Sequence, residues 1–237
     1  MSIGDAEIKT QERVIRFFKD PEILGYQYIG NLSDYQNKNI KEDRLRQYLR
    51  LKGYADKLID AAIMQLQQEA GNLSRGVYDA NKTVYSRLKY GIPVSESPEK
   101  PPVTVQLVDE EKPLNNDFAI AEEVTVVEQS EKRPDLVVYL NGIAVAVIEL
   151  KRSSISVSEG IRQNLTNQKN SFIQSFFTTM QFCMAGNESE GLRYGTLLTG
   201  EKFYMEWKDD GFKEHEEERD PVDVRISKTC EGIENKL

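Results

Sequence analysis

The chain has 237 residues, of which 39% are hydrophobic and 30% charged, and its formal net charge is −8. Such a length can bury a substantial core in one large domain or one domain with an extension, while the acidic balance excludes a broad basic grip on nucleic acid, so any DNA contact must be local or shared with a partner. Two cysteines, Cys183 and Cys230, and a single histidine, His215, give zinc sites and histidine-dependent nucleophiles almost nothing to build on, and a metal here would be held by oxygen, which favours magnesium, manganese or calcium.

No apolar run approaches the roughly 18 to 20 residues of a membrane helix. The N-terminus also lacks a basic-then-apolar signal pattern, so the expectation is a cytoplasmic protein with no membrane partner.

Residues 1–92 read as mainly helical. Thr10 is the expected N-cap of a helix through Phe18 that Pro21 ends, with Glu12 as an acidic residue in its first turn. A second helix, about 41–51, carries Leu45 and Leu49 on one face and stops near Gly53. A third, about 56–69, repeats Leu58, Ile59, Ala62, Ile63 and Leu66 at helical spacing. Residues 93–113 hold five prolines and read as a connection. Phe118 to Ile120 and Val124 to Val127 then form one strand or a bent pair.

Next come two apolar runs around Asn141-Gly142, the strongest short-range hairpin signal, because both residues tolerate positive φ. Ile143 to Ile148 is apolar at every position, as in a strand covered on both faces. The charges sit at the open ends: Asp135, Glu149 and Lys151. Side chains alternate faces along a strand, so Glu149 and Lys151 point the same way. A two-residue turn without a bulge sets Asp135 opposite Ile148, on the other face. A three-residue loop, Leu140-Asn141-Gly142 with Gly142 as a bulge, pairs Tyr139 with Ile143 and sets Asp135 opposite Val147. The expected register is this bulged loop, which gathers the three charges on one face.

After a polar connection, Ser158 can cap a long helix to about Phe182, with Ile161, Leu165, Phe172, Ile173, Phe176 and Met180 on its buried side. Gln163 and Asn167 belong to another, polar face. Leu192 to Trp207 reads as a final hairpin turning at Thr199-Gly200. The acidic run from Asp209 to Asp220 reads as a solvated loop or tail.

Two carboxylates at the ends of adjacent strands repel unless a cation joins them or one protonates. Asp135 and Glu149 are thus a candidate magnesium site, since Mg²⁺ needs only one or two protein carboxylates and takes its other oxygens from water and phosphate. Lys151 beside them could activate water and offset charge growing on a phosphate, a recipe for phosphodiester hydrolysis. A Glu-x-Lys at a strand end is also compatible with a plain solvated ion pair.

Pro134-Asp135 followed by Glu149-Leu150-Lys151 resembles the PD-(D/E)xK nuclease signature, and the order helix, three strands, helix, strand is similar to the core of that superfamily. Asn116-Asp117-Phe118, Arg133-Pro134-Asp135, Leu140-Asn141-Gly142, Ile148 to Lys151 and Leu192 to Thr196 together resemble the N-terminal nuclease domain of the R subunit of type I restriction enzymes. Leu24-Gly25-Tyr26 and Asn81 to Gly91 extend the likeness over most of the chain.

The resemblance implies an α/β fold with a restriction-endonuclease-like core, a mixed sheet flanked by helices and preceded by a helical region. It implies Asp135 and Glu149 as Mg²⁺ ligands, Lys151 as the catalytic lysine, double-stranded DNA as substrate, and methyltransferase and specificity subunits as partners. An upstream helical glutamate would complete the metal site, with Glu12 the candidate and Glu42 behind it. Gln163 stands where related nucleases carry the glutamine of a Gln-x-x-x-Tyr pair and could touch or position DNA, while Asn167 replaces the tyrosine. No Gly-x-x-x-x-Gly-Lys-Ser/Thr loop occurs, so ATP would be bound by a translocase expected downstream. The expected division is a helical region over 1–92, a connection over 93–113, a nuclease core over 114–208 and an acidic tail over 209–237. The competing expectation is a non-catalytic adaptor that keeps the fold and docks subunits or DNA.

Overall fold

The computed structural model describes residues 3–97 and 99–207; the expected acidic tail, His215 and Cys230 lie outside the described residues. The first third folds into α1 (Ile3–Lys19), the short strand β1 (Gln27–Asn31), α2 (Glu42–Leu51), α3 (Asp56–Gly71) and α4 (Val77–Tyr90). α1 begins well before Thr10, whose hydroxyl is no N-cap and instead donates to Glu188 Oε1 at 3.1 Å. The helical region also supplies a strand, since β1 pairs in parallel with β4 (Phe118–Glu122).

Across the proline-rich connection, β2 (Ile92–Val94) and β3 (Val103–Val105) make a small antiparallel ribbon, and β5 (Val126–Val127) pairs with β6 (Glu131–Lys132) in another. The chain bends between β4 and β5 at Glu123, whose φ is +51°. There follow β7 (Leu136–Leu140), β8 (Ile143–Leu150), α5 (Val157–Asn167), β9 (Phe182–Asn187), β10 (Gly191–Gly195) and β11 (Met205–Glu206). Among the described residues the main sheet has seven strands in the order β1-β4-β7-β8-β9-β10-β11. It is mixed, because β8 and β9 run parallel across the α5 crossover while β4-β7, β7-β8, β9-β10 and β10-β11 are antiparallel. The architecture is α/β, a mixed sheet flanked by helices.

The apolar run of β8 has the cause expected of it. Every residue of β7 and β8 is buried. One face meets Val14 and Phe18 of α1, Leu45 and Leu49 of α2 and Ile59 and Ile63 of α3, while the other meets Phe176, Phe177, Met180 and Leu197. Among the described residues no helix is long and apolar enough to cross a membrane.

Three expectations are corrected. The turn at Asn141-Gly142 is a two-residue one, with φ of +52° and +82° and Leu140 paired with Ile143, so there is no three-residue loop and Tyr139 pairs with Ala144. The helix after β8 is capped by Ser156, whose Oγ accepts from the Ser158 amide at 3.3 Å, and it ends at Asn167 instead of running to Phe182. The chain must reverse there to lay β9 parallel to β8, and a 3₁₀ turn (Gln174–Thr179) completes the reversal. The strand after that helix is therefore β9, which pairs with β10, while the expected hairpin between Leu192 and Trp207 is present as the antiparallel β10-β11 pair, Arg193 facing Glu206 and Tyr194 facing Met205.

Candidate active site

The bulge that brings the charges together sits inside the hairpin, not at its tip. Val138 pairs with Ala146 but Tyr139 pairs with Ala144, leaving Val145 as the extra residue on β8. Beyond it Leu136 pairs with Ile148, and one further step sets Asp135 opposite Glu149. Directly opposed residues of an antiparallel pair share a face. Asp135 thus lies beside Glu149, not opposite Val147, and the Leu150 amide donates to its Oδ2 at 2.6 Å.

Glu149 is fully buried, and neither carboxylate oxygen has a hydrogen-bond partner among the described residues. An ionised carboxylate in such a place is costly unless paired. Burial first, and then the Asp135 charge, push the Glu149 carboxyl well above the usual carboxylate range, against the pull of Lys151. Lys151 itself is half-buried, its Nζ donating to the Leu150 carbonyl at 3.0 Å and its amide to the Gly186 carbonyl at 2.9 Å.

What buries Glu149 is α5. Gly160 presses on β8 and β9 so closely that a Cβ there would lie 2.9 Å from Ala185 Cβ and 3.4 Å from Glu149 Cβ. One turn along, Gln163 is half-buried, while Asn164 beside it is fully buried and donates to the Met184 carbonyl at 2.8 Å. Asn167 is also buried, so this polar stripe is not a solvated face.

On the other side, β4 and α1 frame the pair. The Glu123 amide donates to the Asp135 carbonyl at 2.8 Å, and the Val124 amide to the Pro134 carbonyl at 3.1 Å. α1 turns Gln11, not Glu12, inward: Gln11 Nε2 reaches Glu122 Oε2 at 3.0 Å and Glu123 Oε1 at 3.3 Å, while Glu12 is exposed. Glu42 is bound to Arg46 at 3.0 Å on α2, which packs at the Asn141-Gly142 tip. That tip lies about 20 Å along β8 from Glu149, at about 3.3 Å per residue. The structure brings Asp135, Glu149 and Lys151 together, while Glu12 is exposed on α1 and Glu42 lies by the far tip of the hairpin.

Among the described residues no three His, Cys, Asp or Glu side chains gather closely enough to hold an ion directly. The site is a carboxylate pair, which suits a hard cation that keeps several waters. The two partnerless oxygens of Glu149 fit that group, since a cation would answer them, as would a proton shared with Asp135.

Residues 7–203 match the family described as type I restriction enzyme R protein N terminus (HSDR_N). The chain belongs to that family. The match runs from within α1 to the short turn at Glu201–Phe203, so the carboxylate pair, Lys151 and the α5 cover all fall inside the R protein N-terminal region. No curated protein matches the chain.

Sequence reading passed over Gly160, Gln11 and Glu123. A glycine within a helical pattern signals close backbone approach, so Gly160 was detectable. Gln11 was detectable too, because it precedes Val14, Ile15 and Phe18 on the helix's apolar side. Nothing in the sequence marks the backbone of Glu123.

Proposed function

We propose that the chain is the endonuclease part of a type I restriction enzyme R protein, hydrolysing double-stranded DNA with Mg²⁺ held by Asp135 and Glu149 and with Lys151 as the catalytic lysine. The observation that supports this most strongly is the Glu149 carboxylate, fully buried beside Asp135 with both oxygens partnerless. A fold keeps such a group at a stability cost, and functional sites are where that cost is tolerated.

A bound Mg²⁺ would polarise a phosphate oxygen and lower the pKa of a bound water. The chain's own residues supply the rest. The Leu150 amide fixes the Asp135 carboxylate, so this ligand is oriented before substrate arrives. The Gly160 contact seals the inner side of Glu149 against water. Lys151, at the end of the same strand, places a positive charge where negative charge grows on the phosphate. Gln163, half-buried one turn beyond Gly160, is assigned to positioning the DNA. Glu12, exposed on α1 next to the inward-facing Gln11, is kept in this proposal as the upstream glutamate.

The partners in this reading are the methyltransferase and specificity subunits of a cytoplasmic restriction complex, with ATP used by a translocase elsewhere in the R protein. The test uses the complete R protein in its assembled complex. Asp135→Ala, Glu149→Ala and Lys151→Ala should each abolish double-strand cutting while ATP hydrolysis continues. Normal cutting by any one of them rejects the assignment, and normal cutting by all three favours an adaptor role.

A further inference from the structure

We infer that α4 carries a second nucleic-acid contact, a stripe of Tyr78, Lys82, Tyr85 and Lys89 that lies along a phosphate backbone away from the carboxylate pair. The inference goes beyond the nuclease reading, taking from it only that the polyanion is duplex DNA. The four residues stand four, three and four apart, so at 3.6 residues per turn they share one narrow face of the helix. That face is about 16 Å long at 1.5 Å per residue. All four side chains are exposed, Tyr78 at 59% and Tyr85 at 49%. The rest of the helix is anchored: Val77, Ala80, Val84 and Leu88 are buried, and Asn81 Nδ2 donates to the Thr178 and Met180 carbonyls at 3.1 and 2.7 Å.

The charges of the stripe are uncommitted. Neither Lys82 nor Lys89 pairs with a carboxylate among the described residues, and Lys89 Nζ lies over the Tyr90 ring at 5.5 Å. The neighbouring cations are already paired, Arg87 with Glu69 at 2.7 Å and Arg75 with Asp79 at 3.2 Å. In a chain of net charge −8 this is a local cationic face.

Charge complementarity selects the occupant. Lysine ammonium groups and tyrosine hydroxyls both donate to phosphate oxygens, and exposed lysines gain affinity by releasing the counterions of a polyanion. A desolvated protein interface would favour arginine, since lysine is depleted there. The stripe matches about five base pairs at 3.4 Å each. Glu110 and Glu111, which share a cleft of about 430 Å³ with Lys89, bound it with negative charge at that end. Its place suits holding DNA, not cutting it. Met180, to which Asn81 is tied, precedes Ala185 by five residues, and Ala185 pairs with Glu149. Five extended residues span about 16 Å.

The test is fluorescence anisotropy of a short labelled duplex with the chain, at low and at physiological salt. Wild type is compared with Lys82→Ala/Lys89→Ala, with Tyr78→Phe/Tyr85→Phe, and with Lys57→Ala/Lys112→Ala, a control that removes the same charge from exposed lysines elsewhere. The stripe lysine pair should weaken binding by about 10-fold and reduce the salt slope by about 2. The phenylalanine pair should weaken binding with the slope unchanged, because a neutral donor releases no counterion. The control pair should leave both nearly unchanged. Thermal midpoints should stay at the wild-type value, and where the alanine pair fails to fold, Lys82→Gln/Lys89→Gln takes its place. A folded stripe variant that binds like wild type, a control pair that weakens binding as much, or wild type that binds no duplex overturns the inference. Polyglutamate that competes as well as unlabelled duplex of equal charge makes the occupant an acidic protein surface and overturns it too. All these variants leave Asp135, Glu149 and Lys151 intact, so the nuclease reading stands or falls separately, on cutting by the assembled complex.

Discussion

At Glu149, burial and the Asp135 charge both favour the protonated carboxyl, so its folded pKa lies above that of the unfolded chain. Folding then holds a proton that the unfolded chain has released, and the stability this contributes is complete below an unfolded value of about 4.3 and is lost as pH rises through the folded pKa. Glu149→Gln removes that loss. In chelator, at pH 8, the variant should be more stable than wild type by about 1–3 kcal/mol, the cost of a buried unsatisfied polar group. At pH 4 the gap should close. Urea denaturation at both pH values measures it, and a variant less stable than wild type at pH 8 contradicts the account. At this scale the identity of Asp135, Glu149 and Lys151 was legible because charge is conspicuous beside apolar strands. The inward turn of Gln11 in place of Glu12 was legible only in the phase of the apolar positions of α1. The strain at Glu123 was not legible at all, since it comes from tertiary contacts with Pro134 and Asp135.

Among the elements, the hairpin and α5 fix the site. Asn141-Gly142 announced a turn, and its second role emerges only from packing. Asn141 is fully buried, accepting from the Asp117 amide at 2.7 Å and donating to the Leu107 carbonyl at 2.8 Å. A Cβ on Gly142 would lie 2.7 Å from the Lys41 carbonyl oxygen. The bulge could not be placed from sequence because Ile143 to Ile148 is uniformly apolar, so no residue stands out as the extra one. Only the demand that Asp135 share a face with Glu149 showed that some bulge was needed. For α5, Gly160→Ala should overpack the Ala185 contact and destabilise the fold by about 1–3 kcal/mol, read by thermal unfolding. Unchanged stability would show that α5 does not press on β8 as described. Helical spacing overstates the length of α5 because Phe172, Phe176 and Met180 keep that spacing while only Phe176 lies in a 3₁₀ turn, with Phe172 before it and Met180 after it. β9 was hidden behind that pattern, being short, buried and without alternation.

Over the whole molecule, the central order of helix, three strands, helix and strand was legible because β4, β7 and β8 are long apolar runs with turn signals between them. β1 was not, since its residues Gln27 to Asn31 are half polar and it belongs to the sheet only through pairing with β4. The net charge of −8 bears on function at this scale. The chain alone should bind duplex DNA no more tightly than about 10⁻⁶ M at physiological salt, the limit of ordinary non-specific binding, as fluorescence anisotropy would show. Nanomolar binding by the chain alone would contradict a shared DNA grip. The central claim is that Asp135 and Glu149 form a cation site, and the most direct measurement is an anomalous-difference map from crystals of the chain soaked in Mn²⁺. The account predicts a manganese peak between the Asp135 and Glu149 carboxylates that vanishes in Glu149→Ala. A saturated crystal with no peak there would contradict it.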